Sequence, residues 1–191
     1  MITLKTLLKQ VDDGRSFGLN WYARAYVDCD TMADKLNVST ELFVYAAAVF
    51  SPRVQVSRSI NMAIEWLKDP EIKPAGCMAN VYNTAMKYRD TLQLNGPKTE
   101  NFRRSILSAG MDDSLCIDVW ACRALGVEQS KAYNVGQYAK IRRLFNRASV
   151  KTGLTLPQLQ ACQWYSSMVK AGRNPNGVNL ISQSQLESVG N

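Results

Sequence analysis

The hydrophobic positions along the chain recur at helical spacing through most of its length. Residues 39–50, STELFVYAAAVF, are apolar on nearly every side, which is typical of a helix buried on all faces. No two alternating runs flank an Asn-Gly or Asp-Gly turn, so strand signals are scarce. The clearest amphipathic run has apolar residues three or four apart: Val56, Ile60, Ala63, Ile64 and Leu67. The pattern therefore predicts an all-α protein of about eight helices.

Start and stop signals predict where several helices begin and end. Ser51-Pro52 is typical of a helix start, and Asp69-Pro70 ends the same pattern. Asp118 is expected to cap a short helix that ends at Gly126. The stretch TLPQ at 155–158 is a capping box with an internal proline.

Three further segments are predicted. The first helix is expected to cover about 2–12 and to end in DDGRSFG. Another helix is expected over about 75–92. Residues 174–191, rich in Gly, Asn and Ser, are expected to form a flexible tail.

Length and hydropathy restrict the class of protein. The 191 residues suffice for one domain or two small lobes, and 46% hydrophobic residues can form a real core. No apolar run reaches the ~18 residues of a membrane span. The start, MITLKTLLKQ, is too polar for a secretory signal peptide. We therefore expect a soluble cytoplasmic protein with no membrane partner.

Charge is distributed unevenly. Lys and Arg exceed Asp and Glu by 23 − 16 = 7, and residues 129–186 contain no acid. A surface of one sign favours a polyanion partner, although a solvated basic helix face remains the alternative. The bases of this stretch are Lys131, Lys140, Arg142, Arg143, Arg147, Lys151, Lys170 and Arg173.

The residue inventory limits the chemistry. The chain has no histidine and five cysteines with no C-x-x-C pair, so neither a zinc site nor a Ser–His or Cys–His system is expected. We expect no metal and no cofactor. Any proton transfer would have to use the side chains of Asp, Glu, Lys or Tyr.

A lysine and an aspartate stand at the starts of two successive predicted helices. In LNGPKTENF, the turn Gly96-Pro97 precedes Lys98, and backbone N–H groups at such a helix start can bind a phosphate. The positive end of the helix dipole favours the neutral amine, which is a nucleophile. Asp118, at the next helix start, is expected to stay ionised. The pair suits attack at a sugar carbon; taken singly, the two residues are a surface lysine and a helix cap.

Here the sequence resembles the helix-hairpin-helix DNA glycosylases of the endonuclease III and 8-oxoguanine glycosylase superfamily. Their hairpin reads approximately L-P-G-V-G-x-K-x-A, and V-D-x-H-x-x-R follows about twenty residues later. This chain has LQLNGPKTENF and, twenty residues after Lys98, IDVWACRALG. Lys98 and Asp118 fall on the two catalytic positions. The resemblance covers roughly residues 40–173 and includes VFSPRVQVSRSINMA and QWYSSMVKAGR.

The resemblance implies a two-lobed helical glycosylase fold and an activity. One lobe would hold about 40–126, and the other would join 1–39 to 127–173. The implied function is a DNA glycosylase with abasic-site lyase activity on a damaged or modified base of duplex DNA. The protein would act as a monomer, and small proteins of this kind occur in bacteriophages.

The resemblance and the charge pattern also imply DNA contacts. Trp120, Tyr133, Trp164 and Tyr165 are candidates to stack on an extruded base, with core packing as the alternative. Arg53 falls where the family often has glutamine and is a candidate to insert beside the target base. The DNA-binding candidates are Arg53, Gln55, Gly96, Arg103, Arg123, Lys140, Arg142, Arg143 and Arg147.

The sequence departs from the family pattern in ways that leave alternatives open. Leu94 stands where the first hairpin glycine belongs, the histidine after Asp118 is absent, and the four-cysteine cluster motif is missing. A non-catalytic DNA-binding or virion-associated protein on the same scaffold is one alternative. An enzyme that acts on modified thymines with different chemistry is another.

Overall fold

The computed structural model describes residues 1–94, 96–173 and 179–189, and within these ranges the regular structure is entirely helical. This confirms the predicted all-α class. A 3₁₀ turn, Gln129–Lys131, precedes the eighth helix. The ten α-helices are α1 Leu4–Gly18, α2 Trp21–Leu36, α3 Thr40–Val49, α4 Val56–Lys68, α5 Ala79–Lys87, α6 Pro97–Leu107, α7 Val119–Leu125, α8 Val135–Thr152, α9 Leu156–Lys170 and α10 Gln183–Glu187.

Three clusters of buried side chains hold the helices together. The first joins α1, α7, α8 and α9 around Phe145 and Leu159. The second joins α2, α3, α4 and α6 around Phe43 and Ile106. The third lies between α3, α4 and α5 around Trp66. Helix α3 contributes to two clusters and is buried throughout from Phe43 to Phe50, as its all-round apolar sequence predicts.

The clusters group the helices differently from the predicted lobe bounds. Helix α2 packs with the middle helices α3, α4 and α6, whereas α7 packs with α1, α8 and α9. The connection from α1 to α2 and the connection from α6 to α7 therefore each join helices of different clusters. None of the described helices is long and apolar enough to cross a membrane.

The first helix is longer than predicted because its glycines serve packing. Helix α1 continues through the expected stop to Gly18. An added Cβ would stand 1.9 Å from the Cys162 carbonyl oxygen at Gly14 and 2.4 Å from the Cys162 backbone at Gly18. The two glycines, one helical turn apart, let α1 and α9 approach closely, so they are not a termination signal.

The predicted start of the fourth helix is wrong. Helix α4 begins at Val56, and Ser51 to Gln55 form a separate turn before it. Ser51 Oγ donates to the Ala48 carbonyl oxygen (2.8 Å), so it completes the end of α3 instead of capping α4. Arg53 in this turn has a φ of 61°, a left-handed conformation that helices do not contain.

The other helix bounds agree with the local signals in most places. Asp118 caps α7, Gly126 ends it in the left-handed region, and Thr155 with Gln158 forms the predicted capping box of α9. Helix α5, at Ala79–Lys87, is shorter than the expected 75–92.

The C-terminal segment is also different from the prediction. Residues 179–189 pack on the second cluster, with Leu180 and Ile181 buried and α10 held by Gln185. Gln185 Nε2 donates to Asn61 Oδ1 (2.5 Å) and to the Ser57 carbonyl oxygen (3.0 Å), both on α4. The expected flexible tail is therefore wrong for this segment, while 174–178 and 190–191 lie outside the described residues.

Candidate active site

Lys98 stands in the first turn of α6, as predicted. Gly96 is the N-cap residue, with φ −116° and ψ 130°, and Pro97 opens the helix. The Thr99 hydroxyl donates to the Gly96 carbonyl oxygen (2.9 Å), which closes the first turn. Gly96 has no side chain with which to cap the helix, so the cap residue leaves the N–H groups of the first turn without that partner. Asn95, within the predicted hairpin, lies outside the described residues.

The Lys98 side chain is half-buried against the end of α3. Its Nζ donates to Ser51 Oγ across 3.5 Å, at the long limit of a hydrogen bond. The Ser51 hydroxyl proton is directed to the Ala48 carbonyl, so a lone pair of Oγ faces the lysine. The turn that carries Arg53 and Gln55 therefore begins at the residue that contacts Lys98.

Asp118 lies at the start of α7, where its Oδ1 accepts the Ala121 N–H (2.7 Å). Burial raises the pKa of this carboxyl above its ordinary value of 3.8, against the opposing effects of the Ala121 N–H and the Lys98 charge. The Lys98 charge acts on Asp118 although the two residues form no direct ion pair in the described structure.

Cys116 connects the two helix starts. Its Sγ donates to the Lys98 carbonyl oxygen (3.6 Å), so the segment before α7 lies against the first turn of α6. Burial raises the pKa of the Cys116 thiol to about 12, although the Lys98 charge opposes this. The thiol is neutral at pH 7 and is a poor nucleophile there.

Two tyrosines hold the extended segment that leads to Asp118. The Ile117 N–H donates to Tyr133 Oη (2.7 Å), and Tyr138 Oη donates to the Leu115 carbonyl oxygen (3.3 Å). The two rings stack with centroids 5.3 Å apart. Asn101 Nδ2, on α6, donates to Tyr138 Oη (3.2 Å) and links this support to the lysine helix.

Sequence reasoning missed part of this arrangement. Ser51 was interpreted as a helix cap, and Tyr133 as a candidate for stacking on a base. The structure gives Tyr133 a backbone contact and burial that raises its pKa. Ser105 and Ser114, which share a buried hydrogen bond of 2.7 Å, also fix the segment before Asp118 and were not predicted. No spacing rule connects these residues, because their contacts form between separate helices.

The predicted DNA-contact residues near the two helix starts differ in their availability. Arg53 and Gln55 are exposed on the turn after α3. Arg103 forms a two-point ion pair with Glu100, at 2.8 and 3.0 Å. Arg123 is exposed and lies over the ring of Trp120, with its Cζ 4.9 Å from the ring centroid. Arg103 already has an anionic partner, whereas the other three keep polar groups toward solvent.

The four predicted DNA contacts on α8 also differ in whether their charge is compensated within the protein. Arg142 is bound to Asp113, with its Nη2 2.6 Å from the carboxylate, so its charge is compensated within the protein. Lys140, Arg143 and Arg147 are exposed and form no ion pair with any described residue.

The other three stacking candidates differ in how far their rings are exposed. Tyr165 is 8% exposed and its ring stacks on Phe17 at 4.6 Å, which matches the core-packing alternative. Trp164 is partly buried and lies 5.9 Å from Trp21 between ring centroids. Trp120 is partly exposed on α7, two residues after Asp118, and is the candidate whose position best suits contact with a ligand at this site.

An all-helical protein with a lysine and a desolvated carboxylate at two neighbouring helix starts is the class that the fold and site define. The chain belongs to a family of unknown function (DUF7178), whose model matches residues 8–171 and thus includes α2 to α9, Lys98 and Asp118. No curated protein and no solved structure matches the chain.

Proposed function

We propose that this protein is a DNA glycosylase with abasic-site lyase activity, in which Lys98 is the nucleophile and Asp118 the supporting carboxylate. The observation that carries the proposal is the contact between the two helix starts: the Cys116 thiol, two residues before Asp118, donates to the Lys98 carbonyl oxygen (3.6 Å). Titratable groups whose pKa is shifted by desolvation and by a charged neighbour occur often at reactive sites. The motif resemblance supplies the reaction class.

The proposed reaction assigns each group a step. The Lys98 amine attacks C1′ of the target nucleotide, and the glycosidic bond breaks so that the base leaves with the bonding electron pair. The Asp118 carboxylate stabilises the positive charge that develops on the sugar. The attached nitrogen then loses a proton to solvent, and the C1′–O4′ bond breaks as O4′ takes up a proton, which leaves a Schiff base on Lys98. Loss of a C2′ proton breaks the C3′–O bond by β-elimination, and water releases the amine.

Two contacts support the positioning that this reaction needs. The Ser51 hydroxyl, oriented by Ala48, would restrict the Lys98 side chain to one direction. The Tyr133 hydroxyl holds the backbone of Ile117, directly before Asp118. Preorganised groups of this kind reduce the reorganisation cost of a reaction.

The proposal takes duplex DNA in the cytoplasm as the target, with the protein acting as a monomer. Arg53, exposed on the turn next to Lys98, is the proposed residue to insert beside the extruded nucleotide. Trp120 is the proposed stacking residue.

Borohydride trapping tests the proposal directly. The protein is incubated with duplex DNA that contains one abasic site, and sodium borohydride reduces any Schiff base to a stable covalent adduct. Wild type is expected to give an adduct whose modified peptide contains Lys98. Lys98→Gln should form no adduct yet bind the duplex, because it removes one amine without opening a core cavity. A glycosylase assay on duplexes with single modified bases then identifies the excised base.

Lys87→Gln is the matched control, since Lys87 is an exposed lysine at the end of α5. It should trap like wild type. Equal trapping by wild type and Lys98→Gln would refute the assigned nucleophile. Tight duplex binding with no adduct in any variant would favour the non-catalytic alternative.

A further inference from the structure

A groove with basic walls runs between the start of α1 and one face of α8. Residues 1–5 form one side, and α8 supplies the other through Lys140, Arg143, Leu144 and Arg147. No acidic residue lines this groove. The positive end of the α1 dipole lies at the same place, because the helix begins at Leu4.

The cations on α8 form a straight row. Lys140, Arg143 and Arg147 are three and four residues apart, so they share one helix face with about 5–6 Å between neighbours. The three span about 10 Å along the helix. Lys5 lies across the groove on α1. All four are exposed, and within the described ranges none is in an ion pair.

Three cations near this row are compensated within the protein, whereas those that line the groove are not. Lys9 and Lys170 both approach Asp13, at 3.6 and 3.1 Å. Arg142, on another face of α8, is bound to Asp113. The groove therefore concentrates like charges that repel one another until an anionic partner binds.

The spacing of the row suits a nucleic-acid backbone. One strand of duplex DNA carries a phosphate every ~3.4 Å of helix axis, so a row of about 10 Å can face about three phosphates. The guanidinium groups of Arg143 and Arg147 can each bind phosphate oxygens in a two-point contact. A linear array favours an extended polyanion over a single small anion.

We propose that the groove between α1 and α8 binds the sugar-phosphate backbone of duplex DNA as a contact separate from the Lys98 site. The Ile2 N–H donates to the Leu125 carbonyl oxygen (3.1 Å), which places the groove at the far end of α7 from Asp118. Helix α7 has seven residues, so the separation along it is about 10 Å. This inference rests on the duplex partner of the proposed function but not on the chemistry of Lys98.

Salt-dependent binding to an undamaged duplex tests the groove. The triple variant Lys140→Gln/Arg143→Gln/Arg147→Gln is compared with Lys35→Gln/Lys68→Gln/Lys87→Gln, which removes three exposed lysines from the last turns of α2, α4 and α5. Both variants lose the same formal charge. The slope of log affinity against log salt should fall by about 2.7 in the groove variant, or 0.9 for each phosphate contact, and should change little in the control.

Lys5 lies on α1, on the other side of the groove. Adding Lys5→Gln to the groove variant should lower the slope by about a further 0.9. An unchanged slope would mean that DNA contacts the α8 face alone. Equal slopes in the two triple variants would overturn the proposal, as would stronger binding of the wild type to vesicles of anionic lipid than to duplex. Borohydride trapping at saturating DNA distinguishes this result from failure of the proposed chemistry. Lys98→Gln should lose the adduct but keep the wild-type salt slope within about one phosphate contact, and the control triple variant should keep both.

Discussion

Replacement of Asp118 separates its role as a helix cap from the cost of burying its charge. Asp118 Oδ1 accepts the Ala121 N–H, and the carbonyl oxygen of asparagine can make the same contact. Alanine cannot, and loss of an N-cap costs about 1 kcal/mol. Both variants remove a carboxyl whose pKa burial raises. We therefore expect Asp118→Asn to be at least as stable as wild type at pH 7 and about 1 kcal/mol more stable than Asp118→Ala.

The pH dependence follows from the sign of the same pKa change. The folded-state pKa of Asp118 lies above its unfolded value, so the folded state binds the proton more tightly. The resulting stability is present below about pH 3.8 and is lost as the pH rises through the folded-state pKa. Asparagine cannot ionise. The gain of Asp118→Asn over wild type should therefore be largest at neutral pH and disappear in acid.

Urea and thermal unfolding at several pH values measure these differences. For a chain of this length, 1 kcal/mol corresponds to a change of roughly 2–4 °C in Tm. Ser39→Ala is the control for cap loss alone, because Ser39 caps α3 through the Leu42 N–H at an exposed position. A large loss of stability in Asp118→Asn at pH 7, beyond that of Ser39→Ala, would refute the reasoning, since the charge would then stabilise the fold.

Three further substitutions test the packing and the backbone around the site. Gly18→Ala should cost about 3 kcal/mol by chemical denaturation, because its Cβ meets the Cys162 backbone, whereas Gly136→Ala, with open space around it, should be neutral or stabilising. Tyr133→Phe should cost about 1–3 kcal/mol and slow adduct formation, since the Ile117 N–H loses its partner; unchanged stability and trapping would contradict this. Arg53→Gly should raise the free energy of unfolding by about 0.5–1 kcal/mol, because glycine adopts a φ of 61° without strain, and a loss of stability would show that the arginine side chain stabilises the turn.

Local signals predicted the parts of the fold that depend on neighbouring residues. The caps at Asp118, Gly126 and Thr155 were predictable because each bond joins residues within one helical turn. The buried helix α3 was predictable because its sequence is apolar on every face.

Features that depend on contacts between residues far apart in the sequence could not be predicted from local signals. Gly14 and Gly18 are favourable inside α1 only because α9 passes against them. The segment 179–189 is polar in composition but packs because Leu180 and Ile181 find a place on the second cluster. Ser51-Pro52 has the composition of a helix start, yet Ser51 bonds backwards to Ala48.

The candidate site was predicted as a pair of residues but not as an environment. The spacing of Lys98 and Asp118 along the chain, together with the motif, indicated two neighbouring helix starts. The residues that orient them, Ser51 and Tyr133, come from other segments and have no fixed spacing to either. A single sequence contains no signal for contacts of this kind.

Departures from low-energy backbone conformation are concentrated around the lysine helix. Among the residues that the structure describes, four non-glycine residues have positive φ, and one of them, Asn37, ends α2 in a conformation that asparagine tolerates well. The other three are Arg53, in the turn that begins at the Lys98 partner Ser51, Leu92, shortly before α6, and Ala109, directly after it. Strained residues persist where the surrounding structure fixes them, and they are frequent at functional sites.

The half-buried Asp118, whose pKa is raised by desolvation, adds a second, electrostatic cost at the same place. A protein selected for stability alone could use asparagine at this cap and a relaxed turn after α3, with no loss of packing. The strained turn begins at Ser51, which contacts the half-buried Lys98 side chain, and the segment that leads to Asp118 contacts the Lys98 backbone. Sequences depart from local rules mainly where function requires it. This coincidence is a physical reason, independent of the motif resemblance, to look for the activity at Lys98 and Asp118.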